Sequence, residues 1–194
     1  MSASPPSPRR RQLLDAALHV LADQGLKGLT HRAVDRRAGL PEGSCSAYLR
    51  TRRALQAALA EDVAQRLLAD VDRLADHLRT APEPDGVGAT LELFQRWLDQ
   101  RELLVARLEL TMAATRDAEL SGLLAAHRAR LVDLVAGIMT ATGKEHGAAR
   151  AEALVASYDG ILLAALLKPA GEQGAFLSRS LELLGTGLAG MAGA

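Results

Sequence analysis

The chain has 194 residues, enough for one large or two small domains with a sizeable core. Hydrophobic residues make up 48% but aromatics only 3%, and Ala, Leu and Arg far outnumber Val, Ile, Thr and Tyr, which argues for helix and against sheet. The formal charge is zero, Cys45 alone cannot form an intrachain disulfide, and no apolar run nears the roughly 18 residues of a membrane span, so a soluble, cytoplasmic protein without a membrane partner is expected.

Residues 1–8 (MSASPPSP) read as a disordered arm, with three prolines and almost nothing to bury. A helix from about Arg9 to Asp23 follows, with Leu13, Leu14, Ala17, Leu18 and Leu21 at helical spacing and Gly25 as its stop. Leu29 leads into Thr30, a good N-cap for a short helix that buries Ala33 and Val34 and ends at Gly39. Leu40 and Pro41 then turn the chain into a second short helix, from Glu42 to Leu49. Two short helices around a tight glycine-containing turn make a helix-turn-helix candidate.

From Thr51 a longer helical pattern runs to about Arg79, carrying Leu55, Leu59, Val63, Leu67, Val71, Leu74 and Leu78. Thr80 to Gly88 (TAPEPDGVG) is the one clear linker. Beyond it, helices are expected at about 88–100, 102–115, 117–142, 147–168 and 173–189, with breaks near Arg101, Thr115, Gly143 and Pro169-Ala170-Gly171. The charge is unevenly divided along these elements. Residues 1–53 hold ten basic and four acidic side chains, the remainder thirteen basic and nineteen acidic, as expected where only the front of a protein faces a polyanion.

Residues 9–59 read RRRQLLDAALHVLADQGLKGLTHRAVDRRAGLPEGSCSAYLRTRRALQAAL. The apolar pattern LLDAALHVLADQG, then LT before a short helix, AGL, Glu-Gly-Ser with an apolar-aromatic stretch, and a basic residue with Ala-Leu opening a long helix resemble the DNA-binding domain of the tetracycline-repressor family. The resemblance implies an all-α fold: an N-terminal three-helix DNA-binding domain (residues 9–53) with a helix-turn-helix, joined through the long helix to a C-terminal helical ligand-binding and dimerisation domain (residues 54–194). Three positions depart from the family pattern. Pro41 stands where a Ser or Thr usually starts the reading helix, Ser46 where a tyrosine is common, and Arg53 where an acidic residue often follows the phosphate-binding lysine. A different operator preference is the expected consequence.

A helix-turn-helix presents side chains near the start of its second helix to base edges, while helix N-termini hold phosphates. Ser44, Ser46, Ala47 and Tyr48 occupy that helix here, and Gly43 omits a side chain where the backbone approaches DNA. Serine and alanine are weak anchors, so most affinity is expected from phosphates. Thr30, His31 and Arg32 open the first helix of the motif, and Thr51, Arg52 and Arg53 open the long one. Cations at a helix N-terminus are unfavourable by about 0.3–1 kcal/mol unless an anion lies beside them, and a DNA phosphate is one such anion. By the resemblance, Arg52 takes the place of a phosphate-contacting lysine and Tyr48 that of an aromatic residue before the apolar Leu49. Tyr48 equally suits the edge of the small first core, and Cys45 reads as a small buried hydrophobe.

No Cys/His cluster, phosphate-binding glycine loop or nucleophile elbow is present, so no metal site, cofactor or enzymatic activity is expected. The resemblance implies a homodimer built from the last two helices, for which Leu154, Ile161, Leu162, Ala165, Leu177, Leu181 and Leu184 are the candidate residues; packing within one chain is the other reading of the same stripes. It also implies a pocket for an unknown small-molecule effector, with Phe94, Trp97, Arg107, Glu109, Thr111, Met112 and Tyr158 as candidate walls, although Trp97 and Met112 also suit an ordinary core. The function expected is that of a repressor released from a palindromic double-stranded DNA operator by the effector. An activator or ligand-independent regulator, or a helical adaptor that binds no DNA, is the alternative.

Overall fold

The computed structural model describes residues 7–81, 85–141 and 148–190. Residues 1–6 of the expected arm, 82–84 of the linker, Gly143, His146 and the side chain of Leu188 lie outside the described residues. Among those described, nine α-helices and no strand are present, so the fold is all-α as the composition requires. In chain order they are α1 (Pro8–Gly28), α2 (His31–Ala38), α3 (Ser44–Tyr48), α4 (Arg52–Thr80), α5 (Gly86–Asp99), α6 (Arg101–Ala114), α7 (Ala118–Ala141), α8 (Ala148–Leu166) and α9 (Ala170–Gly190). None of them is long and apolar enough to cross a membrane.

The chain divides into two compact units whose boundaries fall inside α4 and α7 and at the first residue of α6. Unit 1 holds residues 1–67 and 102–127. Its α1 begins where the Ser7 hydroxyl accepts the Arg10 N–H and Pro8 fits the first turn. The expected stripe of Leu13, Leu14, Ala17, Leu18 and Leu21 is buried, as are Leu29, Val34, Cys45, Leu49, Leu55 and Leu59 from the elements that follow. Gly25 interrupts α1 as expected: at φ 65° and ψ −177° its backbone is not helical, and a short helical stretch follows as far as Gly28. The kink leaves backbone groups without helical partners, and side chains from other helices supply them. Glu109 of α6 accepts the Leu26 N–H at 3.4 Å, and Arg52 of α4 donates to the Leu26 carbonyl at 2.5 Å. Arg66 lies between Asp15 of α1 and Asp62 of its own helix, and His127 Nε2 meets Glu61 at 2.7 Å.

Unit 2 holds residues 68–101 and 128–194. Asp85 caps α5 by accepting the Gly88 N–H, so the helix starts at Gly86, earlier than the glycine-rich sequence suggests. Thr90, Leu93, Phe94, Trp97 and Leu98 form its buried face. Val135 and Met139 of α7 pack with Ala151, Leu154 and Val155 of α8. The last helix starts at Ala170, not near 173, because Pro169 is compatible with a helix start and its carbonyl accepts the Glu172 N–H at 2.9 Å.

Candidate nucleic-acid interface

Thr30 caps α2 with a 3.2 Å bond from the Ala33 N–H to its hydroxyl, and Gly39 closes the helix in the left-handed region at φ 67°. The chain then runs through Leu40, Pro41 and Glu42 to Gly43, whose φ of 94° a side chain would strain. A Cβ on Gly43 would meet only the Ser46 hydroxyl, at 4.0 Å, so backbone conformation rather than space calls for glycine in the free protein. The second short helix consequently begins at Ser44 and not at Glu42.

Asp35 organises this turn, and the sequence reading passed it over. Its side chain is 1% exposed, and its two oxygens accept the N–H of Gly43 at 2.9 Å and that of Cys45 at 2.7 Å. A carboxylate on α2 thus caps α3 from across the turn. The signal was present, since Asp35 shares the inward stripe of His31, Val34 and Ala38 on an otherwise basic helix. Cys45 is buried, and burial first and the Asp35 charge second push its thiol up to about 11. At the other end of α3, His31 Nε2 lies 2.6 Å from the Leu49 carbonyl, which assigns the ring proton to that nitrogen. His31, expected to meet DNA, is thereby engaged in closing the reading helix.

The outward residues are those with little else to hold. Ala47 is exposed and Tyr48 is 48% exposed, which suits either an edge position on the first core or a contact outside the chain. Ser44 and Ser46 are half-buried, and their hydroxyls donate to the carbonyls of Pro41 at 2.7 Å and Gly43 at 2.9 Å. Each serine oxygen keeps lone pairs for accepting from a ligand. Arg32 is exposed and lies 3.5 Å from Glu42, a surface pair of little worth. Thr51 caps α4 by accepting the Ala54 N–H at 3.0 Å.

The two arginines that follow have protein partners. Besides its bond to the Leu26 carbonyl, Arg52 is solvent-exposed. Arg53 reaches Asp117 at 3.1 Å and Glu119 at 3.3 Å, beside the start of α7. The Asp117 carboxyl is held below its ordinary value by the Leu120 N–H first and by Arg53 second. These carboxylates supply the anion that the cationic start of α4 calls for, so Arg53 is accounted for without a phosphate.

The residues expected around a ligand fall in both units. In unit 2, the Phe94 and Trp97 rings stack at 5.6 Å, Tyr158 meets Phe94 edge-on at 5.2 Å, and the Trp97 indole donates to Asp70 at 2.8 Å. Burial raises the Tyr158 pKa, with the Thr90 hydroxyl opposing the shift. In unit 1, Arg107 and Glu109 are half-buried on α6, and Thr111 and Met112 are exposed. Glu109 is engaged with the Leu26 N–H, and Thr111 donates to the Arg107 carbonyl at 2.8 Å.

The stripe expected to form a dimer interface is turned mostly inward. Leu154, Leu162, Ala165, Leu177 and Leu181 are buried within the single chain, and Ile161 and Leu184 are half-buried. Outward-facing instead are Leu163 at 44%, Leu167 at 80% and Leu183 at 70% exposure, with exposed Gly160 and Ala156 one and two turns before Leu163 on α8. Two apolar stripes share these helices, and periodicity alone does not say which one faces the chain's own core.

The profile of the tetracyclin repressor-like C-terminal domain matches residues 69–187, more than half of the chain. A transcriptional regulator from Rhodococcus sp. Rha1 has a similar structure, with a TM-score of 0.76 at 22% identity over 95% of each chain. A member of the TetR family from Streptomyces coelicolor A3 gives 0.73 at 29% identity, over 92% of this chain and 98% of that one. The multidrug binding protein EbrR complexed with imidazole gives 0.64 at 29% identity, over 90% and 96%, and the same protein also matches as its ethidium complex. No curated protein matches the chain.

Proposed function

Because this chain belongs to the tetracycline-repressor family of transcriptional regulators, we propose that it is a homodimeric repressor that a small-molecule effector releases from a palindromic operator. The observation that carries the reading is the α2–α3 turn. Asp35 and His31 fix both ends of a short helix whose exposed Ala47 and Tyr48 and half-buried Ser44 and Ser46 are free to meet bases. Thr30, Arg32, Thr51 and Arg52 flank that helix in sequence at two helix starts, where phosphates are favoured.

The dimer forms through the outward face of α8 and α9. Leu163, Leu167 and Leu183 are large apolar groups left in water by the single chain, and Gly160 allows close approach. Leu167→Glu is expected to yield a folded monomer by sedimentation, with palindrome binding lost; a dimer that survives it would place the interface elsewhere.

The effector binds in unit 2 beside Phe94, Trp97 and Tyr158. Support comes from the ring cluster itself and from EbrR, which binds ethidium, a planar aromatic cation. Trp97 is the only tryptophan, so its fluorescence reports the cluster directly. Bound effector shifts the dimer toward a conformation whose reading helices no longer match the operator spacing.

The test is selection from a pool of random duplexes at about 0.15 M salt, near physiological screening. A palindrome is expected, together with a steep fall of log K against log salt. Featureless retention would sink the regulator reading. An effector that quenches Trp97 yet leaves operator affinity unchanged would sink release.

A further inference from the structure

Pro41 stands two residues before the Gly43 N-cap and has no hydroxyl to offer, and α3 has no side-chain cap bond from its own N-cap. Two backbone donors at its start are nevertheless satisfied from another helix. The Asp35 carboxylate, 1% exposed on the neighbouring helix, takes the N–H groups of Gly43 and Cys45 at 2.9 and 2.7 Å. One rigid planar group therefore grips two points of the α3 backbone two residues apart. Two such points on a single short turn restrict both the rotation of α3 about its axis and its height above α2. Rotation and height are what place Ala47 and Tyr48 against a base edge.

We propose that Asp35 is a specificity-positioning residue, which sets the register of the reading helix against the bases through its bidentate grip on Gly43 and Cys45 and never touches DNA itself. The proposal rests on the regulator reading and adds to it a division of labour. Gly43 and Cys45 N–H, which a helix start could otherwise offer to a phosphate, are consumed internally by a carboxylate that also offsets the positive end of the α3 dipole. Phosphate anchoring then falls to the starts of α2 and α4, and α3 is left to discriminate between bases. A lesion at Asp35 consequently separates two quantities that a lesion at Arg52 lowers together. Specific affinity falls, whereas affinity for a scrambled duplex and the salt slope do not.

The distinguishing substitution is Asp35→Asn, which keeps the shape of the side chain but leaves one acceptor oxygen for two donors. The probes are the palindrome selected by the wild-type protein and a scrambled duplex of equal length. Expected for D35N is a loss of about tenfold or more in the ratio of specific to scrambled affinity, the scale on which an unpaired buried donor acts. The slope of log K against log salt should stay unchanged. Adding Pro41→Ser, which places a hydroxyl two residues before Gly43, where it can take that N–H in a turn, should recover part of the ratio in the double variant. General loosening of the fold gives no reason for that recovery, and circular dichroism of both variants monitors folding. A D35N protein that keeps the wild-type ratio overturns the inference alone, and so does one whose scrambled-duplex affinity falls in step with its specific affinity. If the wild-type protein selects no palindrome, the regulator reading fails and takes the inference with it.

Discussion

The two units hold themselves together by different means. In unit 1 the irregular backbone is secured by directional groups: Asp35 on Gly43 and Cys45, His31 on Leu49, and Glu109 and Arg52 on the two ends of the Leu26 residue. Unit 2 packs long helices through leucines and alanines, with an aromatic cluster and side-chain fastenings such as Trp97 to Asp70 and Arg128 to Asp159 that join helix to helix. Directional bonds define positions to a fraction of an ångström, as base reading requires. Apolar packing tolerates repacking at small cost, which would suit the effector-binding role proposed for unit 2.

The largest effect that tests this contrast is expected from Leu177→Ala, since Leu177 is fully buried in unit 2. Truncation there should cost about 2–5 kcal/mol in urea unfolding. A cost well under that range would mean that unit 2 collapses around the gap, an even more plastic core than described. Gly43→Ala should come next. Forcing a Cβ onto a backbone at φ 94° should cost roughly 1–2 kcal/mol and reduce palindrome binding out of proportion to the stability lost. Equal loss in both would show that the turn matters for folding alone.

Gly160→Ala acts in the opposite direction. A Cβ at Gly160 meets nothing within 4 Å in the single chain, so the helix should gain about 1 kcal/mol in propensity. If the partner approaches closely there, sedimentation should at the same time show a weaker dimer; a more stable protein with unchanged dimerisation would move the contact away from that turn. The smallest effect concerns Asp62, whose carboxyl is raised by burial, with Arg66 pulling the other way. Its folded pKa lies above its unfolded one, so the folded state binds more protons between the two values. Its contribution to stability therefore falls as pH rises from about 4, the unfolded carboxylate value, through the folded one. Asp62→Asn should remove that slope from melts recorded across the interval, and an unaltered slope would assign it to another group.

The helices themselves were legible because leucine spacing, the Thr30 cap and the glycine stops act within a few residues. The reading strayed where distant groups decide. Gly25 ends the regular part of α1 as its local signal implies, but nothing local announces the bonds from Glu109 and Arg52, remote in sequence, to Leu26 just beyond it. Glu109 was assigned to a ligand pocket for its polarity on an apolar helix, and it is that same polarity that attaches it to Leu26. Leu154, Leu162 and Leu177 were offered to a partner because two apolar stripes on one helix look alike until the chain is folded. A short helix does follow the turn where the family spacing puts one, starting at Ser44, whereas Asp35 is announced only by its place on the inward stripe of α2, a signal that does not say which backbone groups it will hold.

The state of Cys45 has a practical consequence. With its thiol buried and raised to about 11, only about one molecule in ten thousand would carry a thiolate at neutral pH. The natural chain is therefore close to a blank for maleimide chemistry. A fluorophore or spin label attached through a new cysteine at an exposed position, Ala125 for instance, would report from one chosen place per chain. Pairs of such labels across a dimer would measure in solution how far apart the two halves stand, with no need to remove the native cysteine first.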